Sequence, residues 1–241
     1  MKLLRYSCIL VLAAACWAQH PDLEPNTPGQ KPVPTVAFDF VLQGANPVHY
    51  AIKVESSGRA AYRADNPNTE DKTGEPYLLK FTIPDTLARR IFDLTRQASY
   101  FRGNFDYKKR RIAYMGTKTL SYAEGPADSF GQPTNGYRYQ TSYNWSQNAA
   151  IQQLTDIFQD ISSTIEHGRK LQFQHRFDKL GLADELKNME DARRGGHLPV
   201  LQAIAPVLQE IATDPAVMDI ARKRARELLN SAQIPAQPSS D

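Results

Sequence analysis

The sequence predicts an α+β protein: an antiparallel sheet of about six strands with a covering helix, followed by a C-terminal helical appendage. Three observations carry this. Apolar residues alternate with period two through much of 36–145, and from 146 to about 230 they recur at helical spacing. Several strand-like segments are joined by short turns rich in Gly, Pro and Asn, which favours antiparallel neighbours over helical crossovers.

The chain starts with Lys2 and Arg5, an uncharged apolar run from Tyr6 to Ala15, and small residues to Ala18. This is the layout of an export signal over 1–18, and the run is too short for a bilayer, which takes about twenty apolar residues. Two processing routes fit. Cleavage after Ala18 leaves Gln19 as the new terminus. Alternatively Ala13-Ala14-Ala15-Cys16 resembles a lipobox, with Cys16 as the lipid attachment, although Ala13 stands where Leu is usual and Trp17 follows. The expected location is periplasmic or secreted, or else a membrane-anchored lipoprotein.

Both cysteines, Cys8 and Cys16, fall in this leader, so the mature chain is expected to rely on its core without disulfides. The chain carries +3, two of which belong to Lys2 and Arg5. Such a balance does not by itself imply a polyanion partner.

Residues 19–35, with five prolines, read as an extended tether. The sheet region is placed at 36–145. Phe38, Phe40 and Leu42 share one strand face, and Tyr50, Ile52 and Val54 another. "SSG" at 56–58 is a hairpin turn into "RAAYRA". After the polar loop "DNPNTEDKTGEP", a fourth strand points Tyr77, Leu79, Phe81 and Ile83 inward. The first helix carries Leu87, Ile91, Leu94 and Ala98, with Asp85 as its cap. Strands at 117–123 and 137–145 follow, separated by "EGPADSFGQPTNG".

The helical region, 146–230, opens with a stripe of Ile151, Leu154, Ile157, Phe158, Ile161 and Ile165, expected to pack on the sheet. Leu182, Leu186 and Met189 define a second helix ended by Gly195-Gly196. A third carries Leu201, Ile204, Leu208 and Ile211, kinked or split at Pro206. Asp214-Pro215 opens a fourth with Val217, Ile220, Ala221, Leu228 and Leu229. Residues 231–241 read as a disordered tail.

The series "YAIKVESSGRAAY … GEPYLLKFTI … LARRIFDLTRQASYF … TKTLSY … YRYQTSYN … AIQQLTDIFQDI" resembles a domain of unknown function in exported bacterial proteins, over about residues 48–165. The resemblance implies the order of elements and export. It implies no activity, cofactor or catalytic residue.

No pair of histidines has the helical spacing of a metal site, and no nucleophile elbow or phosphate-cradling glycine loop is present. We therefore expect no catalytic, cofactor-binding or metal residues. The richest segment is 100–145, which holds seven of the eleven tyrosines. Candidate surface residues are Tyr107, Lys108, Lys109, Arg110 and Arg111, which form a basic run, and Tyr137, Arg138, Tyr139, Tyr143 and Trp145. On the last strand, Tyr137, Tyr139, Tyr143 and Trp145 share one face. Exposed, they would offer flat rings to sugars or peptides; buried, they would cover a helix, and the second reading is preferred. The basic run reads as a solvated loop or as a contact for anionic lipid, wall polymer or acidic protein. Cations of "RKRAR" at 222–226 are read as complementing the dipole of the last helix.

The preferred function is an exported, non-enzymatic envelope or extracellular protein that binds another macromolecule, an unknown protein or envelope polymer. Nucleic acid is not expected, and a membrane is engaged only through Cys16. The alternatives are a hydrolase of cell-wall or extracellular polymer, using Asp106, Glu124 or Asp128, and a structural or assembly factor.

Overall fold

The computed structural model describes residues 33–65, 76–108, 111–125 and 137–232. Six strands form one antiparallel sheet: β1 (Val33–Val41), β2 (His49–Glu55), β3 (Arg59–Ala64), β4 (Tyr77–Thr82), β5 (Thr117–Gly125) and β6 (Tyr139–Tyr143), in the order β4-β3-β2-β1-β5-β6. β1 is central because its register joins β2 on one side, Phe38 opposite Ile52, and β5 on the other, Phe38 opposite Leu120. The first strand begins at Val33, inside the stretch expected to be tether. Pro34 sits near its start, a position where a missing N–H is tolerated, and Thr35 is already buried.

Alternation does what the sequence implies. Val36, Phe38, Tyr50, Ile52, Val54, Tyr62, Leu120 and Tyr143 are buried on one face. Two helices cover that face: α1 (Asp85–Gln97), through Ala88, Ile91 and Leu94, and α2 (Ala149–Phe177), through Ile151, Leu154, Phe158, Ile161 and Ile165. Asp85 is not a cap. Pro84 occupies that position with no side-chain bond, and Asp85 lies in the first turn, where its charge suits the helix dipole. α2 has a true cap, Asn148, whose Oδ1 accepts from the N–H groups of Ala150 and Ile151.

α2 crosses the sheet obliquely. Thr155 meets Tyr143 of β6, Phe158 stacks on Phe38 of β1 with centroids 5.2 Å apart, Glu166 accepts from the Tyr62 hydroxyl of β3 at 2.7 Å, and the Arg169 guanidinium lies 5.6 Å from the ring of Tyr77 on β4. Six strands span about 24 Å at ~4.8 Å each, and Thr155 to Arg169 spans about 21 Å of helix. The helix then overshoots the β4 edge.

Beyond that edge lie α3 (Leu182–Arg194), a 3-10 turn (Leu201–Ile204), α4 (Ala205–Thr213) and α5 (Asp219–Ala232), with their own core of Leu171, Leu186, Met189, Leu208, Ile211 and Leu228. α3 ends as the sequence implies. Gly196 is left-handed (φ +80°), its N–H reaches Arg193 O, and the His197 N–H reaches Ala192 O. Pro206 occupies the first turn of α4 and divides it from the 3-10 turn. Asp214 and Pro215 do not open α5. Asp214 caps a separate turn by accepting from the Ala216 N–H, α5 starts at Asp219, and Ile220 is exposed rather than packed. α5 also continues through Ala232, past the expected start of the tail.

The two cores meet at Gly168 of α2. A Cβ placed there would lie 2.3 Å from Ile204 Cγ2 and 2.9 Å from its Cβ. Gly168→Ala gains about 1 kcal/mol of helix propensity, but an overlap this deep makes overpacking, about 1–3 kcal/mol, the larger effect. Urea unfolding is expected to show a net loss of stability. In a double-mutant cycle with Ile204→Ala, the two losses should be less than additive, because trimming Ile204 removes the closest clash.

Candidate functional site

The site is built where α1 hands the chain to the β6 edge. After α1, Ser99, Tyr100 and Phe101 all take left-handed backbone conformations, with φ of 51°, 57° and 65°. For residues with a Cβ this costs roughly 1–2 kcal/mol each. The compensation is visible. Phe101 is fully buried, Tyr100 lies 4.8 Å from the ring of Tyr122, and the Phe101 and Arg102 N–H groups bond Ala98 O and Ser99 O. The reversal delivers Arg102 onto β6.

Arg102 lies over Tyr139, with Cζ 4.3 Å from the ring centroid, and its Nη2 donates to the Tyr139 hydroxyl at 2.7 Å. Arg138 donates to the same hydroxyl from Nε at 3.1 Å. Arg138 also pairs with Glu124 at 3.1 Å, and Glu124 accepts from the Tyr122 hydroxyl at 2.5 Å. Burial, reinforced by Glu124, pushes the Tyr122 phenol up from its ordinary range. Two guanidinium groups thus converge on one phenol while one of them, Arg138, pairs with a carboxylate, and among the described residues the cluster keeps a net positive charge. Both arginines are exposed.

The candidate residues divide on this geometry. Tyr143 is in the core, its hydroxyl 2.6 Å from Thr155 Oγ1, and burial raises its pKa. It belongs to the helix-covered face and cannot serve as a platform ring. Tyr137, Tyr139 and Trp145 are half-buried, and Tyr139 packs against the sheet core. Trp145 packs edge-on to Tyr107 at 5.2 Å, and its carbonyl accepts the Tyr107 N–H. Lys108 and Arg111 are exposed, with Lys108 3.8 Å from Asp106. Lys109, Arg110, Cys16 and Asp128 lie outside the described residues.

The acids reserved for a hydrolytic reading have other partners. Asp106 accepts the Asn144 N–H at 3.0 Å, and Glu124 is engaged as described. A shallow, open hollow of about 210 Å³ includes Asp106 but not Glu124 in its lining, with Asn104, Tyr107, Ser146 and Asn148 among the others. Among the described residues, no group of three His, Cys, Asp or Glu side chains is arranged to hold a metal. The cations of 222–226 do not serve the α5 C-terminus, since the helix runs on to Ala232. Arg222 pairs with Asp219, Arg224 with Glu190, and Lys223 lies at pairing distance from Glu227.

Sequence reasoning passed over Lys118. It is buried on the covered face and donates to the carbonyls of Met115, Gly116 and Asn144 at 3.0, 3.4 and 2.9 Å. Burial lowers its pKa. The signal was present: Lys118, Leu120 and Tyr122 share parity, so a lysine stood at an inward position. Its role is to tie the 113–116 segment to the end of β6.

A second missed cluster sits on the opposite face. His49 lies between two carboxylates, Nδ1 2.7 Å from Asp65 and Nε2 2.8 Å from Asp39. The parity of β1 and β2 places Asp39 and His49 on one face, but Asp65 follows β3 and was reached only through the fold.

No protein-family model matches the chain, and neither does any curated protein.

Burial opposes protonation of His49, but its bonds to Asp39 and Asp65 outweigh this and hold its pKa above 6.5. The stabilisation is therefore fully present below pH 6.5 and is lost as pH rises through the folded value. NMR titration of the His49 ring should give a pKa above 6.5. Asp39→Asn and Asp65→Asn should each lower it, and the double variant should lower it most.

Proposed function

We propose that this is an exported, non-enzymatic protein that binds an anionic macromolecule, an acidic protein or envelope polymer, at the β6 edge of its sheet. One observation carries the reading: Arg102 and Arg138 converge on Tyr139, and among the described residues Glu124 is the one carboxylate paired with them. Guanidinium groups are suited to carboxylate and phosphate because their N–H forks bond two oxygens at once. The aromatic ring beneath Arg102 fixes the fork and reduces the entropy lost on binding. A strained turn held by core packing is what presents Arg102, and such strain is concentrated at functional positions. Lys108 and Arg111 extend the positive field along the segment that joins α1 to β5. Export rests on the leader at 1–18 and the resemblance of 48–165. The hydrolase alternative has weaker support, because Asp106 and Glu124 are committed to a backbone N–H and to Arg138.

Photo-crosslinking in the native envelope tests this without presuming a ligand. A photoreactive residue at Gln140, exposed on β6, should yield a discrete adduct, whereas one at Arg89, exposed on α1, should not. Arg102→Glu with Arg138→Glu should reduce the adduct about tenfold or more, as expected when charge-assisted bonds of about 1.5–3 kcal/mol are lost. Equal adducts from both positions, or no dependence on the two arginines, would reject the site.

A further inference from the structure

The tip of α2 is built differently from the β6 edge. Past the sheet, Phe173, Phe177 and Leu180 are 42%, 74% and 76% exposed, although they are large and apolar. Phe173 and Phe177 are one helical turn apart with centroids 5.1 Å from each other, so they form one patch. Leu180 follows in the turn before α3. Cations flank the rings. Arg176 is exposed and has no carboxylate partner among the described residues, and the Lys170 side chain is 57% exposed while its Nζ reaches Glu185. Two acids of this segment have partners of their own: Glu166 accepts from Tyr62, and Asp178 accepts the Gly181 N–H to close the turn.

From this geometry we infer that the α2 tip is a membrane-contact site, in which Phe173, Phe177 and Leu180 enter the interface of an anionic bilayer while Arg176 meets lipid phosphates. Charge and area select this occupant. Three such side chains cover at most about 600 Å², short of the roughly 800 Å² per partner of a stable protein interface. A bilayer requires no matching surface. Aromatic rings seat at headgroup depth and cations add electrostatic attraction to anionic lipid. The site lies past the β4 edge, on the far side of the sheet from β6, and is independent of the anionic-partner reading. It also differs from anchoring through Cys16, since it uses folded surface.

The test is flotation of the exported chain carrying Cys16→Ser, so that no acyl chain contributes, with vesicles of phosphatidylcholine alone or with 30% phosphatidylglycerol. Binding is expected only with the anionic vesicles and should weaken as salt is raised. Phe173→Ser with Phe177→Ser should reduce it at least about tenfold, since burying one such ring is worth on the order of a tenfold in partition. Arg176→Glu should also reduce it. Both sites are exposed, so circular dichroism should show folding intact. Phe177→Trp should acquire blue-shifted emission quenched by brominated lipid. Vesicle binding that survives the Phe pair, or no binding to anionic vesicles, would overturn the proposal. So would sedimentation showing a dimer that the Phe pair disrupts, because the patch would then be a contact between copies.

Discussion

The molecule depends on one long helix. A six-stranded sheet with one apolar face needs that face covered along its whole width, and α2, with α1 beside it, reaches from β6 to β4 through Tyr143–Thr155, Phe38–Phe158, Tyr62–Glu166 and Tyr77–Arg169. Each contact uses a different strand, so each fixes the tilt of the helix as well as its distance. The remaining turns then lie beyond the sheet, where Leu171 enters a second core with α3, α4 and α5. Two cores sharing a continuous helix cannot reorient without bending it, and Gly168 locks the arrangement by admitting Ile204 where any side chain would block it. Val200 closes the link, since it precedes the 3-10 turn yet packs in the sheet core.

The polar groups follow from this packing. Tyr62 is buried under α2, and burial first, then Glu166, drives its phenol far above the ordinary range. It stays neutral and serves as a donor. Glu185 shows the reverse balance: burial favours its neutral form, but His167 and Lys170 outweigh this and lower its pKa. Its contribution is present above its ordinary value of 4.5 and is lost as pH falls through the folded value. Breaking either pair leaves a buried polar group unmatched, which costs more than the net worth of the bond.

Much of this was legible from period alone. Alternation placed Phe38, Ile52 and Tyr143, and helical spacing placed Phe158 and Leu186, because burial is a property of faces and faces are written in the sequence. Pro206 and Gly195-Gly196 were legible because they restrict or free the backbone locally. Other features were not. The left-handed run at Ser99–Phe101 contains no glycine, so nothing local announced it; core contacts from Phe101 and Tyr122 impose it. Asp214-Pro215 carried a valid start signal that was spent on a turn, and α5 began at Asp219. The pairing of Arg102 with Tyr139 joins residues far apart in the chain, and no spacing rule reaches across a sheet. The His49 cluster was not legible either, because Asp39 and Asp65 become its neighbours only once β1, β2 and β3 are in register.

The route of α2 also determines how the two surfaces relate. The helix begins at the β6 side and ends past β4, a length of about 43 Å at 1.5 Å per residue. Arg102 and Phe177 therefore stand near opposite ends of a rigid strut. Groups so far apart, with no shared partner, contribute independently, and exposed charges at that distance are screened from each other by salt, whose Debye length is about 8 Å. A change at Tyr139 is not transmitted electrostatically to Phe177. Coupling would require α2 to tilt, and a tilt would break the contacts to Tyr143, Phe38 and Tyr62 together. The architecture thus favours two separable surfaces held at a fixed distance over a switch that links them.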